Sequence, residues 1–331
     1  MRYISLVFLF MLLNSTANAQ ELFPEMEPAS TIPKGVLGVR AFTESYKEFS
    51  QFRNLSALRL MYGLTPKLTV MATADGSNHH NTLLPPEYPT HNTPNVGVHH
   101  PYRFNGVDFY AKYRFLSIDG QNSHYRMALY GEYSYLTVAH DEGEPTLLDD
   151  TKGFGAGLIS TYLKGHFAAS FNGGIILPSK YKGGIPDFVS ALPPVPTIVT
   201  YPNAVTYNLS LGYLLYPRVY KNYNQTNINV YMEFQGKTYG ATQVKVSDIL
   251  YPGNYYVINT KDIPVLQAGN YVEAHPGIQC IIKSNTRIDL SIGYPLINKS
   301  YVHYYPLYTL GVQRYFYSNK KRTNSSSRKN T

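Results

Sequence analysis

FNGVDFYAKYRFLSIDGQNSHYRMALYGEYSYLT, running from Phe104 to Thr137, decides the fold. From Val107 every second residue is apolar or aromatic: Val107, Phe109, Ala111, Tyr113 and Phe115. Between them stand Asp108, Tyr110, Lys112 and Arg114. Successive side chains of a strand point to opposite faces, so this is one apolar face backed by one charged face. Residues 117–122 are a polar turn. The alternation then resumes, with Tyr125, Met127, Leu129, Gly131, Tyr133 and Tyr135 against Arg126, Ala128, Tyr130, Glu132 and Ser134. Strands of about ten residues joined by a tight turn suit a membrane-spanning barrel. A hairpin of a soluble sandwich uses shorter strands, of about five or six residues.

The same grammar extends outward in both directions. It predicts strands near 35–42, 54–62 and 68–74 before the central hairpin. After it come strands near 153–163, 166–176, 205–215 and 228–235, one carrying Val272 to Ile282, one near 287–292 and one near 308–312. That makes about twelve, an even number, as single-chain outer-membrane barrels have. Valine and tyrosine within 244–265 leave room for one more hairpin, hence fourteen. Short connections follow strands two, four, six and ten, with a moderate one after eight. Long or charged ones follow three, five, seven and nine. Such barrels have short periplasmic turns and longer outer loops. The fold class expected is therefore all-β, a transmembrane antiparallel up-and-down barrel. Two residues strain the pattern. Pro276 removes a ladder bond and belongs near the outer rim or at a bulge. Arg314 shares the parity of Leu310 and Val312 and is tolerable only near an interface. The polar residues Glu44, Lys47 and Glu48 read as a loop.

The ends carry other information. Arg2, the apolar run from Ile4 to Leu13 and Ala17-Asn18-Ala19 form a secretory signal with its cleavage site. The division expected is 1–19 signal peptide, 20–34 periplasmic lead-in with Pro24, Pro28 and Pro33, 35–317 barrel and 318–331 disordered basic tail. No other apolar run approaches the length of a membrane-spanning helix, so a membrane location requires a barrel. The formal charge of +8 belongs mostly to Arg2 and to Lys320, Lys321, Arg322, Arg328 and Lys329. A nucleic-acid partner would need basic residues gathered on a folded face, and the pattern lacks one. With 32 tyrosines and no tryptophan, the chain favours strands and interfaces. The single cysteine, Cys280, cannot form an intramolecular disulfide; its parity places it on the lipid face, near the periplasmic end of its strand.

The chemistry-bearing candidates are weighed against ordinary barrel residues. A charge facing lipid at mid-depth costs roughly 2–4 kcal/mol for Arg or Lys. The charged set Arg40, Arg59, Asp108, Lys112, Arg114, Arg126, Glu132, Glu233, Arg287 and Asp289 is therefore placed in the lumen, either as a salt-bridged filling or as a polar pathway. His79, His80, His91, His99 and His100 lie in one long loop and are weak metal candidates without carboxylate or thiol partners at metal-site spacing. His166, Ser170 and Asn172 share a strand parity but lack an oxyanion donor, so no enzyme is expected. Gly153, Gly155 and Gly157 do not open a helix and are not a phosphate loop; glycine on a barrel strand accommodates a bend or a neighbouring ring. No cofactor is expected. The expected partners are outer-membrane lipids and a small-molecule solute, with the oligomeric state left open.

The segments PKGVLGVRAF (33–42), RLMYGLTPKLTV (59–70), YMEFQGKTYG (231–240) and HPGIQCIIKSNTRIDLSIGYPL (275–296) give the chain a family likeness. It resembles the outer-membrane barrels associated with meta-pathway phenol degradation, often described as transporter-like. That resemblance spans most of the chain after the signal. It implies a barrel and the uptake of hydrophobic or aromatic compounds, and it brings no catalytic residues. The basic tail beyond Phe316 departs from barrels that end on an aromatic strand residue. The functional expectation is an outer-membrane channel or transporter for small molecules. The alternative is a structural or surface-interaction barrel with a closed lumen and partner-binding outer loops.

Overall fold

A computed structural model describes residues 26–48, 51–78, 102–136, 143–148, 151–185, 195–219, 225–248, 250–298 and 304–317. The signal, the basic tail and the five loop histidines lie outside the described residues.

Twelve strands close an antiparallel barrel. They are β1 (Leu37–Glu48), β2 (Gln51–Gly63), β3 (Leu68–Ser77), β4 (Arg103–Asp119), β5 (Ser123–Leu136), β6 (Gly153–Lys164), β7 (Phe167–Pro178), β10 (Ala204–Tyr216), β11 (Asn227–Tyr239), β14 (Gly269–Ile282), β15 (Thr286–Asn298) and β16 (Leu307–Phe316). The intervening β8 (Tyr181–Ile185), β9 (Val195–Thr200), β12 (Gln243–Ser247) and β13 (Tyr255–Val257) form a separate sheet in the order β13-β12-β9-β8. The first strand pairs with the last, Leu37 opposite Phe316 and Ser45 opposite Tyr308, so the wall has no free edge.

Period-two alternation is what the wall requires. Phe109, Tyr113, Leu129, Phe154, Phe171 and Leu290 are exposed on the outer surface, while Asp108, Lys112, Ser170, Glu233, Gln279 and Asp289 are buried inside. An apolar exterior and a polar interior reverse the arrangement of a water-soluble domain. The turns at 64–67, 120–122, 165–166 and 283–285 lie at one end; the long loops lie at the other, together with the tight β1–β2 hairpin.

The additional hairpin expected within 244–265 exists, as β12 and β13, but it does not enlarge the barrel. β12 pairs with β9, Gln243 opposite Thr200 and Val246 opposite Thr197. Val199, Tyr201, Val244 and Leu266 form the small core of this sheet. The hairpin reads as wall from sequence because a second half-buried sheet imposes the same period.

Three boundaries differ from expectation. The central turn is shorter than 117–122, because 117–119 are strand paired with 124–126. Residues 44–48 are strand, paired with 51–55 in a hairpin that carries the wall past the apolar belt. Residues 26–34 do not sit below the barrel as a lead-in but run inside it, as described below. The strained residues also find places. Pro276 lies mid-strand opposite Met232, where the ladder to β15 lapses between Ala274 and Gly277. Arg314 is buried, its guanidinium 5.7 Å from the Phe316 ring.

Candidate functional site in the barrel lumen

Twelve strands about 4.8 Å apart and tilted about 40° enclose a backbone ring on the order of 24 Å across. Side chains from both walls leave roughly the width of one extended chain, about 10 Å. Residues 26–34 occupy that space. The segment crosses the lumen, tied to a different strand at each step. The backbone N–H of Ile32 donates to Thr69 Oγ1 at 2.9 Å on β3. That of Ala29 donates to Thr161 Oγ1 at 2.9 Å on β6, and that of Met26 to Glu233 Oε1 at 3.1 Å on β11. Its two prolines, Pro28 and Pro33, suit the role, since each removes an N–H that a segment without a partner strand would otherwise have to satisfy.

Glu27 is the electrostatic centre of this segment. Its carboxylate lies 3.0 Å from Lys112 Nζ and 3.1 Å from Arg59 Nη1. Lys112 also donates to the Pro28 carbonyl at 2.7 Å. Arg59 is oriented from behind by Thr73, to whose Oγ1 its Nε donates at 2.9 Å. Nearer the short-turn end, Arg126 Nη1 donates to Ser30 Oγ at 3.0 Å and Arg114 Nη2 to the Pro66 carbonyl at 3.0 Å. Apolar contacts complete the fit: Met26 packs on Ala168 and Leu163, and Ala29 on Ala128, Ile159 and Tyr130.

The ten charged candidates thus separate into groups. Arg59, Lys112, Arg126 and Glu233 hold the segment. Arg114 stands at the mouth. Arg287 Nε donates to Asp289 Oδ2 at 2.9 Å, and Asp289 Oδ1 accepts from Gln279 Nε2 at 2.9 Å, so this pair belongs to the β14–β15 wall. Arg40 stacks over Phe42, 5.1 Å from the ring centroid. Asp108 and Glu132 lie above Lys112 on β4 and β5, and Asp108 Oδ2 is buried with no hydrogen-bond partner among the described residues.

A second constriction descends from the long-loop end. Residues 143–148 fold inward, and Lys237 Nζ donates to Glu144 Oε1 at 2.8 Å, to the Pro145 carbonyl at 2.8 Å and to Thr146 Oγ1 at 3.0 Å. Leu147 packs among Ile176, Ala204, Tyr239 and Tyr271. Beside it Glu273 accepts from Tyr305 at 2.6 Å and faces His275 Nε2 at 3.0 Å. Burial, and then the neighbouring Glu273 carboxylate, push the Tyr305 phenol above the ordinary tyrosine range, so it remains a donor there.

Tyrosines lie flat on the inner wall over glycines of adjacent strands. A Cβ on Gly277 would fall within the Tyr231 ring, and one on Gly157 within the Tyr130 ring. These glycines are places of close approach, the role expected for glycine on a barrel strand. Tyr130 also stacks on Tyr110, with centroids 5.2 Å apart.

The hydrolase-like candidates are drawn apart. Ser170 Oγ pairs with Thr161 Oγ1 at 2.7 Å inside the lumen, whereas His166 lies edge-on to Tyr213, 5.9 Å between centroids. Among the described residues no group of three or more His, Cys, Asp or Glu side chains could hold a metal ion. Cys280 is half-buried, opposite Ile288 and Ile228, with the parity of exposed Ile278. Glu27, Lys237 and Glu273 were not singled out from sequence. Only the placement of an acidic, proline-bearing segment ahead of a barrel with basic lumen residues could have pointed to Glu27.

No protein-family model and no curated protein matches the chain. Solved structures do. An outer membrane channel from Pseudomonas putida F1 is 13% identical, with 88% of this chain and 100% of that one covered and a TM-score of 0.48. The β domain of the Bordetella autotransporter BrkA is 12% identical over 85% of this chain and 98% of that one, with a TM-score of 0.38. A mutant of TodX, a monoaromatic hydrocarbon channel, is 10% identical over 86% and 90%, with a TM-score of 0.28. The closed barrel itself stands on the strand register set out above.

Proposed function

We propose that this chain is an outer-membrane channel for small molecules, whose lumen is gated by its own N-terminal segment. The observation that carries the reading is the Glu27 ion pair with Lys112 and Arg59, which holds an unstranded segment across an otherwise polar passage. A barrel that served only as a structural wall would satisfy its inner charges from the wall. Here a buried lysine is satisfied by a segment that can leave without breaking a single ladder bond. Release opens a path lined by Asp108, Glu132, Arg59 and Lys112. The outer constriction at 143–148 and Lys237 then sets a second, narrower passage. The finer reading, uptake of hydrophobic or aromatic compounds, rests on the resemblance stated above and on the Tyr110 and Tyr130 rings in the lumen.

The experiment is conductance of the full-length protein in planar bilayers, with flux of small solutes into proteoliposomes. Brief openings of small conductance are expected. A barrel that never conducts salt and passes no solute would transfer the weight to the second reading, a closed barrel that binds a partner through its outer sheet. The exposed Leu250, Tyr251, Tyr255 and Tyr256 favour that alternative.

A further inference from the structure

Lys112 is the most completely enclosed charge among the described residues of the lumen, its side chain only 1% exposed. A buried ammonium needs an anion or several carbonyls around it. Its hydrogen-bond partners are Glu27 Oε2 and the Pro28 carbonyl, both on the N-terminal segment. The wall therefore supplies the cation and the segment supplies its counter-charge. When the segment leaves, Lys112 faces the passage beside Arg59, whose Nη1 loses Glu27 as well. Arg59 stays in position because Thr73 still accepts from its Nε.

The surroundings of the vacated place are as specific as its charge. Glu27 sits between Met26 and Ala29, whose contacts line the route with Ala128, Ile159, Ala168 and Tyr130. Asp108, on the strand of Lys112, and Glu132, on the neighbouring β5, lie toward the long-loop end and disfavour an anion in that stretch. Lys112 and Arg59 thus favour an anion at the level of Glu27, with an apolar wall next to it.

We infer that the segment is a tethered mimic of the solute, and that Lys112 and Arg59 form a seat for the carboxylate of a small organic acid with an apolar or aromatic body. This rests on the channel reading above and names its substrate class. The tethered Glu27 competes at an effective concentration in the millimolar range for a short flexible connection. A free carboxylate therefore displaces it only at comparable concentration, which makes the gate responsive to its own solute.

Benzoate and its neutral isostere benzamide test the seat on the full-length protein in proteoliposomes. Wild type is expected to pass benzoate at least fivefold faster than benzamide. Glu27→Gln should lower the half-saturating benzoate concentration about tenfold, and Lys112→Gln should bring the benzoate-to-benzamide ratio to one. A ratio near one in wild type, or a ratio untouched by Lys112→Gln in protein that keeps its heat-modifiable migration, overturns the inference while leaving the channel standing. If neither solute nor salt crosses, the channel reading fails, and calorimetry of the Glu27→Gln protein in detergent decides the seat alone. Benzoate bound tenfold tighter than benzamide sustains it; equal binding removes it.

Discussion

Replacing Glu27 by glutamine should loosen the N-terminal segment without altering the wall. With the segment docked, Lys112 has a side chain 1% exposed and Glu27 one 14% exposed, so neither charge is well screened by water. Removing one member of a buried pair costs about 3–5 kcal/mol. The amide recovers part of this, because its oxygen still accepts from one cation and Lys112 keeps the Pro28 carbonyl at 2.7 Å. A net loss of about 2 kcal/mol in docking is roughly 30-fold in the ratio of released to docked segment. Single-channel recording in planar bilayers reads that ratio as open probability, with no solute other than salt present. A 30-fold rise with unchanged open-state current would match the geometry. An open probability within twofold of wild type, from protein that still migrates as a folded barrel in unboiled gels, would refute the idea that this carboxylate holds the gate.

Three further outcomes follow from other parts of the wall. Gly277→Ala places a methyl group in the Tyr231 ring, forces the ring away and strains its hydrogen bond to the Leu290 carbonyl at 3.1 Å. The expected cost is about 1–3 kcal/mol, visible as a lower temperature at which the folded gel band disappears. Cys280 should resist a membrane-impermeant maleimide in intact cells yet react with a lipid-soluble one; rapid labelling from outside would reverse the register or the orientation. Replacing Arg114 and Arg126 together by alanine removes the bonds to Pro66 and Ser30 at the mouth. These contacts are partly solvated and worth about 0–1 kcal/mol each, so the double variant should alter ion selectivity and raise open probability several-fold less than Glu27→Gln. A double variant that opened as readily as Glu27→Gln would move the latch from the lumen to the rim.

The wall was legible in the sequence because lipid outside and polar groups inside force a period of two on every strand. Val107 to Phe115 and Tyr125 to Tyr135 carry that signature whatever their neighbours do, and the twelve barrel strands follow it. The strand ends were less legible. Residues 44–48 are polar because the β1–β2 hairpin continues above the apolar belt, and polarity alone cannot distinguish such an extension from a loop. The lumen was legible only as a face. Parity sends Arg59, Lys112 and Asp289 to the same side, yet it does not say that Asp289 serves the wall while Lys112 serves a segment 84 residues away. That segment has neither strand nor helix period, since it is held by side chains rather than by a ladder. The hairpin of β12 and β13 misleads for the opposite reason: it obeys the strand period while belonging to another sheet.

The outer sheet has a consequence for how the molecule presents itself. Its central contact joins Thr197–Thr200 of one loop to Gln243–Val246 of another. On the channel reading above the long loops face outside the cell, and the surface offered to antibodies or phage is a discontinuous epitope, assembled only once β7, β10, β11 and β14 stand in the wall. Serum raised against either loop as a free peptide should bind the intact protein poorly, whereas serum raised against the folded barrel should lose its target on boiling. Variation in one loop is also constrained by the other, because an exchange at Val199 or Val244 disturbs a core both loops share.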